Sequence, residues 1–145
     1  MIFERSVTTD WEGGLMDGTG VAKAGTGAFS LPVSFPSRIG EPAGKTSPEE
    51  LMAAAHAACF AMALNAALGK KSAKAKKTHV TATVSADKGD AGIKIVSSKL
   101  KVVVEGLEGM TPAEFSTFVK EADKGCPVSN AYRGTMEITV DAKVA

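Results

Sequence analysis

The 145-residue chain reads as a single α+β domain spanning residues 1–145, and three observations carry that prediction. Short runs bounded by glycine turns fill the first third, and His79 to Asp87 and Thr135 to Val144 alternate apolar and polar residues with the period of half-buried strands. A long apolar stretch, Leu51 to Leu68, opens on a helix-start signal. A second helix with the same signal precedes a last alternating run, so strands and helices share one core.

In the first third, Ile2 to Thr8, Gly20 to Ala24 and Gly27 to Leu31 read as short strands. Glu12-Gly13-Gly14 and Asp17-Gly18 supply the turns between them. From Phe35 to Lys45, Pro36, Gly40, Pro42 and Gly44 predict a long loop carrying one conspicuous cation, Arg38.

Ser47-Pro48-Glu49-Glu50 then starts the main helix, with Ser47 as N-cap, proline in the first turn and Glu50 placed for a capping box. The helix is expected to run to Leu68 and stop at Gly69. Its alanines are spread round every face, as expected of a helix buried at the centre of a fold. His79 to Asp87 and Ile93 to about Glu105 read as two strands joined by Lys88-Gly89-Asp90. Thr111-Pro112-Ala113-Glu114 opens the second helix, Gly125 ends it, and Thr135 to Val144 is the last strand.

Composition narrows the function classes. A net charge of +1 gives no field to gather nucleic acid or an anionic membrane, so neither is expected as a partner. The lysine cluster at Lys70, Lys71, Lys74, Lys76 and Lys77 reads as a solvated loop. Leu51 to Leu68 is nominally long enough to span a membrane, but His56 and Asn65 within it and Glu49 and Glu50 at its start favour a core helix. Met1-Ile-Phe-Glu-Arg has no secretory pattern, and a cytoplasmic location is expected. In a reducing compartment, the two cysteines are inert core thiols, metal ligands or a redox pair.

Cys59 lies mid-helix among alanines. A free cysteine there commonly packs as a small hydrophobe. Reactivity requires something that favours thiolate, because an unperturbed thiol of pKa ~8.5 is only slightly ionised at neutral pH and burial reduces that further. The helix dipole acts over the first turn and does not reach this position. A cation must be brought in, since lowering the pKa by two to three units takes roughly 3–4 kcal/mol. Arg38, in the segment leading into the helix, is the candidate. Cys126 sits at the end of the second helix beside Pro127, a site expected to be more mobile than the core. His56, one turn before Cys59, reads as a core or interface histidine hydrogen-bonded to backbone; a base, or a zinc ligand with both cysteines, is the other reading. Trp11 and Tyr132 have no informative neighbours in sequence.

Ser47-Pro-Glu-Glu-Leu-Met-Ala-Ala-Ala-His-Ala-Ala-Cys59-Phe60, with Gly125-Cys-Pro-Val-Ser129 downstream, closely resembles the osmotically inducible protein C (OsmC) family and its organic hydroperoxide resistance (Ohr) relatives. The similarity extends to Trp11-Glu12-Gly13, Ser37-Arg38 and Asp87-Lys88 through Asp90-Ala-Gly92. The resemblance implies an OsmC-like fold: N-terminal strands, a long buried central helix, further antiparallel strands and a second helix. It also implies an intertwined homodimer with active sites at the interface. Cys59 would be the peroxidatic nucleophile, Cys126 the resolving thiol, and Arg38 paired with Glu49 the positioned cation. The implied activity is reduction of organic hydroperoxides, recycled by a dithiol or lipoyl reductant, without haem, flavin or metal. A non-catalytic redox-sensing or hydrophobic-ligand-binding thiol protein is the alternative. Ten positions separate Glu49 from Cys59, about 15 Å along an unbroken helix at ~1.5 Å per residue, so the two cannot touch directly. Glu49 is therefore expected either to reach Arg38 or to serve the Cys59 of a second subunit. Glu50 has a capping role and stays outside the site.

Overall fold

The computed structural model describes all 145 residues, in two compact units, Met1–Leu51 and Met52–Ala145. In the first, β1 (Val7–Glu12), β2 (Thr19–Ala24) and β3 (Ser30–Val33) form an antiparallel sheet in that order. The first strand lies later than the sequence suggested, because the ladder with β2 begins at Val7 opposite Ala24. Gly27 takes φ +79° in the turn before β3, which moves that strand toward Val33. Pro32 is tolerated because β3 is an edge.

The expected loop from Phe35 instead begins with a short helix, α1 (Phe35–Ile39). Ser34 Oγ caps it by accepting the Ser37 N–H at 3.3 Å, and the Gly40 N–H closes it on the Pro36 carbonyl at 3.0 Å. Pro36 lies in the first turn, where a missing N–H costs nothing.

The main helix, α2 (Pro48–Lys70), starts as predicted, with Ser47 Oγ accepting the Glu50 N–H at 3.1 Å. It passes through Gly69, and the left-handed stop falls at Ser72, φ +53°, where the Ala73 N–H returns to the Leu68 carbonyl. The reciprocal capping box is complete at α3 (Pro112–Asp123), between Thr111 and Glu114.

The second unit is built on β4 (Lys77–Gly89), β5 (Gly92–Glu105) and β6 (Glu137–Val144), in that order. β4 and β5 form the expected antiparallel hairpin, with a bulge at Ser85/Ala86. β6 joins β5 in parallel, a departure from the antiparallel strands expected. Alternation reveals which side of a strand is buried but not the direction in which it runs. A parallel return needs a long crossover, supplied here by α3 and by α4 (Pro127–Tyr132), a helix the sequence reading did not separate. Cysteine is an uncommon N-cap, yet Cys126-Pro127 repeats the cap-then-proline order of Ser47-Pro48 and Thr111-Pro112.

The core of this unit joins Phe60, Leu64 and Leu68 of α2 to Leu100, Val102 and Val104 of β5 and to Phe115 and Val119 of α3. The helix is not buried all round. With His56, those three α2 residues form one i, i+4 stripe that is fully buried, while Ala54, Ala55, Ala58 and Ala66 are exposed and Met62 is 72% exposed. By length and composition α2 is long and apolar enough to cross a bilayer, but a stripe packed on a sheet is the signature of a core helix. Truncation of Phe60, which is 0% exposed, to alanine is expected to cost about 3–5 kcal/mol in urea unfolding. Met62→Ala is expected to fall within ~0.5 kcal/mol for the isolated chain.

Candidate active site

In the first unit, the last turn of α1 carries Arg38 and the first turn of α2 carries Glu49. They form a two-pronged ion pair: Nη2 donates to Oε1 at 2.6 Å, and Nε donates to both carboxylate oxygens at 3.1 and 3.2 Å. The two side chains are only 26% and 14% exposed. The hydrogen bond from Arg38 holds the Glu49 carboxyl below its ordinary range despite partial burial, and Glu49 in turn holds the guanidinium above its own. Both are therefore charged at neutral pH, and the guanidinium is locked in orientation.

Arg38 also borders a cavity of about 310 Å³ lined by Trp11, Leu15, Phe35, Pro48 and Leu51. Trp11, uninformative in sequence, lies opposite Gly20 in the β1–β2 register. A Cβ on Gly20 would come within 2.7 Å of the Trp11 ring, so the glycine makes room for the indole against the sheet.

In the second unit, Cys59 is partly exposed and Cys126 is fully buried, and both are free thiols. Burial pushes the Cys59 thiol up, the Val128 N–H pulls it down, and the Cys126 thiol raises it further. No cation of its own unit offsets that burial. Cys126 is not the mobile group anticipated. As N-cap of α4 its Sγ accepts the Ser129 N–H at 3.4 Å, and packing leaves it 0% exposed.

His56 is a core residue, but its partners are side chains rather than backbone. Nδ1 meets Ser98 Oγ at 2.6 Å and Nε2 meets Ser129 Oγ at 2.7 Å. Ser129 Oγ lies 2.6 Å from Asp123 Oδ1, and Asp123 Oδ2 accepts from Arg133 at 2.9 Å. Tyr132 packs edge-on against the imidazole and donates to the Met52 carbonyl at 3.1 Å. Desolvation lowers the His56 pKa, only partly opposed by Asp123, so the ring is neutral. Both ring nitrogens are engaged, which removes His56 as a zinc ligand or free base. No cluster of three or more His, Cys, Asp or Glu side chains is gathered anywhere. Serine, histidine and aspartate are the residue types of a hydrolytic triad, but here the serine lies between the other two and is sealed from solvent.

The matching family model is that of the OsmC-like proteins, over residues 40–141. This chain belongs to that family. It is 38% identical over 97% of its length, and 96% of the relative's, to the peroxiredoxin OsmC of Escherichia coli (strain K12). It is 35% identical to an organic hydroperoxide resistance protein of Xanthomonas axonopodis pv. citri, over 78% of each chain. Among solved structures, an organic hydroperoxide resistance protein OsmC from Legionella pneumophila superposes with a TM-score of 0.75 at 26% identity, covering 96% of this chain and 97% of that one.

A depressed carboxyl pKa stabilises the fold above the unfolded-state value and loses that contribution as pH falls through the folded one. Glu49→Gln is therefore expected to destabilise the protein at pH 7, by about 1.5–3 kcal/mol for a charge-assisted hydrogen bond. The difference should close as pH drops below the ordinary glutamate range, in thermal unfolding of both proteins between pH 7 and pH 3.

Proposed function

We propose that this protein is a thiol-dependent peroxidase that reduces organic hydroperoxides to alcohols. The observation that carries the reading is a free, partly exposed Cys59 thiol packed against the core cluster that holds the second free thiol, Cys126. The names of the relatives, peroxiredoxin and organic hydroperoxide resistance protein, point to the same chemistry. The whole chain then acts as one OsmC-like domain.

In the proposed cycle, the Cys59 thiolate attacks one oxygen of the hydroperoxide. The O–O bond breaks, the alcohol leaves with a proton, and Cys59 becomes a sulfenic acid. The Cys126 thiol then attacks that sulfur, forming the Cys59–Cys126 disulfide and releasing water. An external dithiol, such as a lipoyl group, reopens it by exchange and is itself oxidised to a disulfide. Arg38, oriented by Glu49, is assigned to stabilise the thiolate and the charge developing on the peroxide oxygens. The cavity beside Arg38, walled by Trp11, Leu15 and Phe35, suits an apolar substrate tail.

The expected assay result is steady consumption of cumene hydroperoxide with a dithiol, lost in Cys59→Ser. Cys126→Ser should still oxidise Cys59 once but not close the intramolecular disulfide. Turnover that survives in Cys59→Ser would remove the nucleophile assignment. One stoichiometric oxidation without recycling would instead indicate a redox-sensing or ligand-binding thiol protein.

The working form is proposed to be a homodimer. Its support is the uncovered apolar surface of α2, with Met62 72% exposed and Ala54, Ala55, Ala58 and Ala66 open, a continuous apolar face of the kind that marks protein contact sites. Sedimentation should give twice the chain mass, and Met62→Glu should weaken the association at least about tenfold, roughly 1.4 kcal/mol.

A further inference from the structure

The peroxidatic cycle makes no use of the buried histidine, yet His56, Ser98 and Ser129 are each no more than 0% exposed and Asp123 is 6% exposed. Burying that much polarity is costly unless every group is paired, and no buried polar side-chain atom lacks a partner. The pairing has a direction. Asp123 only accepts, so Ser129 spends its single hydroxyl proton on Oδ1. Ser129 Oγ must then accept from His56, which makes Nε2 the protonated nitrogen. Nδ1 of the neutral ring accordingly accepts from the Ser98 hydroxyl. Protons point one way, Ser98 to His56 to Ser129 to Asp123, and Arg133 closes the far end on Asp123 Oδ2.

Ser129 is where this chain meets the sulfurs. Its hydroxyl belongs to the relay, while its backbone N–H donates to Cys126 Sγ at 3.4 Å. One residue earlier, the Val128 N–H favours the thiolate of Cys59, which packs against the same core cluster as Cys126. The first turn of α4 thus holds Cys126 by a backbone N–H, and the relay pins that turn to α2, β5 and the end of α3.

We propose that His56 and Ser129 are positioning residues for resolution: the relay holds the α4 turn so that Cys126 captures the Cys59 sulfenic acid before a second hydroperoxide does. The inference rests on the reading of Cys126 as resolving thiol. Two reactions compete for the sulfenic acid. Condensation with the Cys126 thiol gives disulfide and water; a second hydroperoxide gives the sulfinic acid and an alcohol. Their ratio measures placement of Cys126 independently of how fast the first oxidation occurs.

The test titrates the full-length reduced protein with cumene hydroperoxide in the presence of recycling dithiol, and reads disulfide against Cys59 sulfinic acid by intact-protein mass. Ser129→Ala is expected to lower the hydroperoxide concentration giving half-maximal sulfinic acid by roughly tenfold, since ångström-scale misplacement can cost up to ~10²-fold in rate. The rate of the first oxidation should stay within about twofold of the parent, as a group acting only on resolution requires. His56→Gln should shift the ratio in the same direction, and it replaces Ser129→Ala if that variant does not fold. An unchanged ratio in the folded variant overturns the proposal, and so does a first oxidation that slows in parallel. Cys126→Ser separates this from the underlying reading. If it raises sulfinic acid while Ser129→Ala does not, only the positioning role fails. If it does not, and the parent forms no Cys59–Cys126 disulfide, the resolving role itself fails and the proposal with it.

Discussion

Holding a cysteine in the middle of an apolar helix shields it from water and, for the same reason, disfavours its thiolate. Cys59 feels that opposition directly, because burial is the largest influence on it and the neighbouring Cys126 thiol adds to it. Only one backbone N–H, from Val128, pulls the other way. Under the proposed activity the missing stabilisation has to come from a full charge, and the first unit holds one in a fixed pose. Arg38 is gripped by three hydrogen bonds to Glu49. A free arginine would lose rotamer entropy each time it engaged a thiolate, whereas this one has already lost it.

Under the proposed activity, the buried state of Cys126 changes how resolution is pictured. A resolving thiol on a loose loop must search for its partner after oxidation. Here the thiol caps a helix and sits in the core cluster against which Cys59 packs. That arrangement exchanges mobility for proximity, and a pre-placed nucleophile gains effective concentration without a conformational step. The polar relay beneath it is the natural complement. A rigid cap is useful only if the helix it caps is held in place.

How much of this was legible beforehand follows from what each signal encodes. Ser47-Pro48 and Thr111-Pro112 announced two helices because a side-chain cap and a first-turn proline act locally. Cys126-Pro127 has the same form, but a thiol in the cap position reads as chemistry rather than as punctuation. Pro36 and Gly40 looked like loop residues, and they turn out to open and close a single helical turn. The parallel return of β6 depends on where α3 and α4 carry the chain, which alternation along a strand does not record. The Arg38–Glu49 pairing was open to family resemblance. The His56 relay was not, because its members lie 42 and 73 positions apart and none is unusual alone. The only hint was Ser129 closing the Cys-Pro-Val-Ser segment.

The composition of α2 looks different once its two sides are separated. The stripe His56, Phe60, Leu64 and Leu68 is large-sided and fully buried, and it secures the helix to the second unit's sheet. The open faces are mostly alanine, and alanine is a weak choice for solubility and a poor one for filling a core. Small side chains chiefly allow a backbone to come close to another surface. An alanine-rich face with one long, flexible methionine is therefore better suited to meeting a second protein surface than to meeting water. Cys59 lies on this helix between the two regimes, partly buried by its own unit and partly left open. In the proposed dimer, closing that remaining side would remove water from around the sulfur and strengthen every charge acting on it. The same packing that makes the thiolate expensive in one chain would then make a correctly placed guanidinium more effective in two.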